Sequence, residues 1–416
     1  MKRNDLKDKI NDIKAQPFAL MMILLYVLPP IGVAGLAWIG FKQLYKSLSH
    51  EKNIPLNMIT YFFTALFVTS LMATVENHAW LYSYVPFMII GYYGVYLYTN
   101  VKPFDMVQFK WIVICGGVYI VCIDKFMRAL NDMGIDFGYL NYLFGSALIG
   151  IKPTERLFGS AYNPNLADVL LLLSLAVLYS NLLNDLHSKA FYKLFYAVPM
   201  IGILMVGITE TGSRSGFISM LILTAIFIMM YYWRSIYLIG ISLIVMFNKI
   251  YDIMPRHQLI IKSIHNRLEI WTTSIKIFLA HPVVGVGPGY FKSIYETYTG
   301  KLIAHPHNLL LAFFAEYGIV GGIAFLVLIL YTIKKWLHLF KNSKTQNQSY
   351  IFYLTFPVIL LTNLLDFPLC SPQVGMPVLI LLSLFYQHIN QVELNEHSPQ
   401  NNTNHVLLMK RKTETA

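Results

Sequence analysis

The chain has 416 residues, 56% of them hydrophobic and only 13% charged, with a mean hydropathy of +0.53 and a net charge of +11. A soluble domain carries about a quarter charged residues, so a soluble globular protein is excluded. The apolar runs are continuous rather than alternating, which excludes a β-barrel, and the basic residues lie scattered between runs, which excludes a nucleic-acid partner.

Eleven apolar runs follow in order, near 18–44, 54–75, 79–99, 107–124, 163–183, 191–209, 214–232, 235–252, 307–333, 350–366 and 373–390. Each approaches the ~20 residues that cross a bilayer. The expected fold is an all-α polytopic bundle of 11–12 membrane helices. Its parts are N-terminal helices over 1–252, a long outer loop over 253–306, C-terminal helices over 307–390 and a cytoplasmic disordered tail over 391–416. The first run holds Pro29-Pro30. A hairpin there would bring the count to twelve and keep the basic N-terminus (Lys2, Arg3, Lys7, Lys9, Lys14) inside the cell. Lysines in short loops mark the cytoplasmic side. The loop with Lys334, Lys335, Lys341 and Lys344 is therefore inside, and 125–162, 209–213 and 253–306 are outside. Cys115, Cys122 and Cys370 form no ligand or disulfide pattern.

Four polar clusters share that outer side. "RLFGSAYNPNLAD" offers Asn163 as a helix cap before Pro164. Its Arg156 is an added phosphate contact, and its Asp168 is costly in lipid unless paired with an arginine. "TETGSRSG" places Arg214 at a helix start, where a forked guanidinium and free N–H groups suit phosphate oxygens. "HNRLEIW" belongs to an amphipathic surface helix, with Arg267 at the edge of its apolar face and Glu269 on the solvated face. "HPHNLLLAFFAEYGIVGG" opens a span with His307, whose imidazole can take a hydroxyl proton near neutral pH. Asn308 orients substrate or caps the helix; on a helix His305 would point elsewhere, and both stand beside Arg156 as weaker substrate-binding candidates. Gly318 and Gly322 read as a close-packing GxxxG face, with Glu316 opposite, bonded to a neighbouring span. Each cluster alone has an ordinary interfacial reading; their coincidence on one side points to a site. A zinc site from His265, Glu269, His305 and His307 fits no ligand spacing.

In this order the four clusters resemble the O-antigen ligase and O-antigen polymerase superfamily, over about residues 150–330. The resemblance implies a GT-C type membrane glycosyltransferase. It takes a glycan from an undecaprenyl-diphosphate carrier outside the bacterial cytoplasmic membrane and passes it to another glycan or to lipid A–core. It implies no cofactor and no metal. Arg214 and Arg267 match the arginines that hold the diphosphate, and His307 matches the proposed base. After Gly321 the chain reads Gly322-Ile323, where many ligases carry small hydroxyl residues. The "NPN" and "RLEIW" elements are closer to polymerases. The rival from another class is a transporter of a small anion or lipid-linked sugar, which would carry its charges near the midplane.

Overall fold

The computed structural model describes residues 17–51, 54–102, 104–135, 137–145, 155–342 and 349–396. Among them every regular element is a helix, and those longer than five residues are α1 (Pro17–Val27), α2 (Pro29–Lys46), α3 (Met58–Glu76), α4 (Tyr84–Val101), α5 (Met106–Asp132), α6 (Pro164–His187), α7 (Leu194–Glu210), α8 (Arg214–Tyr231), α9 (Ser235–Ile253), α10 (Ile260–Ala280), α11 (Phe291–Thr299), α12 (Leu309–Asn342), α13 (Tyr350–Leu365) and α14 (Pro372–Glu396). The chain is an all-α polytopic bundle.

Among the described residues six helices are individually long and apolar enough to cross a bilayer: α3, α5, α6, α7 with its leading turn, α8 and α12. The bent α9 makes a seventh if its halves count as one crossing. The remaining apolar runs are helical too, but shorter or more polar. The first run breaks at Leu28, where Pro29 and Pro30 start a new helix. The chain reverses there, so that Gly32 lies against the backbone of Leu25 and Gly35 against Met21. At 11 residues, α1 is too short to cross alone at ~1.5 Å per residue. The basic N-terminus lies outside the described residues, as does the tail beyond Glu396; residues 391–396 continue α14.

Helix α6 is the central post. It is apolar on every face and buried along nearly its whole length, and it packs on α5, α7, α8 and α13. Its start is built as the sequence implies: Asn163 Oδ1 accepts the Asn165 N–H at 2.8 Å, with Pro164 in the first turn.

Helix α12 differs from expectation. Gly318 is not part of a helix-packing stripe; it breaks the helix, with φ 65° and ψ −163°, a combination open only to glycine. Backbone from the loop before α11 enters the break. Val286 N–H donates to Ala315 O at 3.0 Å, Gly287 N–H to Glu316 O at 2.9 Å, and Ile319 N–H to Pro282 O at 2.8 Å. Gly285 fits because a Cβ there would come within 2.4 Å of the Glu316 carbonyl carbon. Non-helical backbone at membrane depth survives only when its polar groups are bonded inside the protein, and these three bonds meet that demand. The neighbour Glu316 bonds is thus this loop, through its backbone.

Candidate active site

The site is assembled where the loop before α6, the α7–α8 turn, the start of α10 and the ends of α12 and α13 meet. The α7–α8 turn is tied down first. Leu157 N–H donates to Glu210 O at 2.9 Å, and Ser213 Oγ caps α8 by accepting the Gly216 N–H at 3.1 Å. Gly216 is needed for the buried Asp168, because a Cβ there would come within 1.8 Å of Oδ1. Among the described residues Asp168 makes no ion pair within 4 Å; it lies beneath this glycine.

Arg156 and Arg256 clasp the turn. Arg214 Nη1 donates to Arg256 O at 3.0 Å, and Arg256 Nε donates to Gly212 O at 2.9 Å. Arg156 Nε donates to Thr211 O at 2.6 Å and its Nη2 to Asn165 Oδ1 at 2.8 Å. Arg156, Arg214, Arg256, Lys262, Arg267 and His307 all line one cavity of about 410 Å³, with Asn165, Ser213, Ser215 and Asn266. Among the described residues no carboxylate lines it. Burial, then the neighbouring Arg256, pull the Arg156 guanidinium down to about 10 against the opposing pull of Asp168, so it remains charged at neutral pH. Burial lowers Arg267 as well, opposed by Asp366.

The imidazole side is a hydrogen-bonded cluster. His307 has φ 52°, a left-handed conformation costly for a residue with a Cβ. That turn, not a helix, carries residues 305–308, since α12 begins at Leu309. It therefore corrects the expectation that His305 points away: the two rings meet edge to face at 4.4 Å between centroids. His307 Nδ1–H donates to Asp366 Oδ1 at 2.8 Å, and the Phe367 N–H donates to the same oxygen at 2.8 Å. This tautomer is assigned from the network; it leaves the Nε2 lone pair of His307 available. His305 Nδ1 accepts the His307 backbone N–H at 3.4 Å. Burial, then the charge of His307, pull His305 down to about 4 against Asp366, so it is neutral at pH 7. Burial alone would raise Asp366. The hydrogen bond from His307 and the charges of His307 and His305 outweigh it and hold the acid at about 2.

His305, His307 and Asp366 also present ligand atoms within 4.8 Å of one another, a spacing open to a metal ion. Here the carboxylate is bonded directly to the imidazole. The remaining sequence candidates fall outside the cavity wall. Asn308 caps α12 by accepting the Leu311 N–H at 3.0 Å and donates to Leu364 O at 2.8 Å. Glu269 pairs with Lys301 at 2.6 Å.

Sequence reasoning missed Asp366, Arg256, Lys262 and Asn165. Asp366 had a signal, an acid closing an apolar run in "NLLDF". Arg256, after Pro255 in the long loop, had none. Asn165 was hidden by the capping role of its neighbour Asn163.

Compared with known families, residues 195–326 match the family described as O-antigen ligase. The match contains Arg214, Arg256, Arg267, His305 and His307, and leaves out Arg156, Asn165 and Asp366. No curated protein matches the chain.

Proposed function

We propose that this multi-pass membrane protein, a member of the O-antigen ligase and polymerase superfamily, transfers a glycan from a lipid diphosphate carrier to a sugar hydroxyl. The acceptor hydroxyl gives its proton to His307 Nε2 and attacks the anomeric carbon. The bond from that carbon to the phosphate oxygen breaks, and the diphosphate leaves with its charge met by Arg214 and Arg267. Direct displacement inverts the anomeric centre. The carrier is undecaprenyl diphosphate, and the site faces outward from the cytoplasmic membrane.

The observation that carries this reading is the convergence of Arg214, Arg267 and His307 on one cavity, from segments far apart in the chain. A polymerase is favoured over a ligase, because five cations line that cavity and a polymerase joins two molecules that each bear a diphosphate. The break in α12 is a feature transporters use to hold ions. Here its carbonyls at Ala315 and Glu316 are bonded to loop amides, and the cations collect at the helix ends, which supports the enzyme.

The test reconstitutes the purified protein with lipid-linked repeat units in vesicles and resolves the glycans by length. Growth beyond one unit supports the polymerase. Growth only when lipid A–core is added supports the ligase. Transport of labelled units across the vesicle with no bond formed overturns both.

A further inference from the structure

The groups around the imidazole form a chain of side-chain hydrogen bonds. Arg156 Nη2 donates to Asn165 Oδ1 at 2.8 Å, Asn165 Nδ2 donates to Asp366 Oδ2 at 2.8 Å, and His307 Nδ1 donates to Asp366 Oδ1 at 2.8 Å. Its members come from the loop before α6, the first turn of α6, the end of α13 and the start of α12. A guanidinium has no acceptor, so Arg156 can meet only the amide oxygen of Asn165. That contact fixes the amide's orientation and leaves its NH2 group facing Asp366. An aspartate with both oxygens bonded cannot rotate, and its Oδ1 stays on Nδ1 of His307. The Nε2 atom is then held as the lone-pair side of the ring, on a residue that lines the same cavity as Arg156.

We infer that Asn165 and Arg156 are positioning residues for the base, acting on His307 through Asp366. Neither is needed to start α6, because Asn163 is the cap. Amide and guanidinium spread the negative charge of Asp366 over two further groups, which weakens its hold on a protonated His307. Removing the amide donor concentrates that charge on the imidazole side. The other titratable groups facing this cluster are His305 from the same turn, Arg214 from the start of α8, Arg256 before α10, Arg267 from α10, Asp168 from α6 and Cys370 after α13.

This inference rests on reading His307 as the base, and its test needs no glycan substrate. The full-length protein in detergent is treated with diethyl pyrocarbonate, which modifies neutral imidazole, from pH 5 to 8. Modification of each histidine is followed by peptide mass spectrometry. Asn165→Asp keeps the size of the side chain but places a second carboxylate beside Asp366; Asn165→Leu removes the donor without adding charge. Both should move the His307 midpoint upward, by about half a pH unit or more, with Asn165→Asp moving it further. Arg156→Lys, which cannot hold both Thr211 and Asn165, should shift it in the same direction by less. His265, exposed on α10, serves as the internal control for reagent reactivity, and a single size-exclusion peak checks that each variant folds. A His307 midpoint unchanged in both Asn165 variants, while Asp366→Asn moves it, overturns the relay. A relay upheld here alongside a failed transfer assay would locate the error in the proposed reaction instead.

Discussion

Cations that line the cavity are treated differently from those away from it. Far from the cavity, Lys335 near the end of α12 meets Glu393 of α14 at 2.6 Å, and Lys193 meets Asp185 at the end of α6 at 2.5 Å. At the other end of those helices, Arg214 and Arg256 donate to backbone carbonyls. Together with Lys262 and Arg267 they form no ion pair within 4 Å among the described residues. Like charges gathered in a partly desolvated cavity oppose folding. Charges matched inside the protein are explained by structure alone, whereas an excess of one sign around a cavity is explained by an anionic ligand. The difference teaches which charges to assign to function.

The largest effect that tests this contrast is on the imidazole. His307→Ala should lower glycan transfer by about 10²–10⁴-fold while the protein still inserts and purifies, measured as initial rates in vesicles. Wild-type rates in that variant would remove His307 from the chemistry. Next come the cations. Arg214→Gln or Arg267→Gln should weaken donor use by roughly tenfold to a hundredfold, the value of a lost charge-assisted hydrogen bond or two, read in kcat/KM for the lipid donor. An equal loss on Lys335→Gln would break the comparison.

A smaller effect is in stability against pH. The pKa of His305 is depressed to about 4, below the ~6.5 of an unfolded histidine. The unfolded chain therefore binds the proton first, and stability falls as pH drops from about 6.5 to 4. His305→Asn should flatten that slope in a thermal melt, by an amount on the order of 1–3 kcal/mol across the window. The pKa of Asp366 is also depressed, to about 2, so its contribution is lost only between about pH 4 and 2, separable from that of His305. Smallest of all, Lys335→Gln should change stability by about 1 kcal/mol or less and leave transfer unchanged, because that pair lies at the far end of α12.

Much of this was legible in the chain. Hydropathy gave an all-helical membrane bundle, and the amphipathic pattern of "SIHNRLEIWTTSIKIFLAHP" gave α10, because burial against lipid imposes a period that a sequence displays. The Asn163–Pro164 start of α6 was readable because capping is local. Gly318 was misread for the opposite reason. A GxxxG spacing and a helix break use the same residue, and only the loop from Pro282 to Gly287 decides between them.

The sequence by itself determined the solvent of this protein, its helices and the residue types available to a site, since these follow from periodicity and local backbone chemistry. Only the tertiary structure decided the partners: His305 beside His307, Asp366 behind the imidazole, Asn165 and Arg156 behind Asp366, and Arg256 among the cations. Those choices depend on where chain segments tens to hundreds of residues apart come to rest, and no local pattern encodes a distance across the bundle.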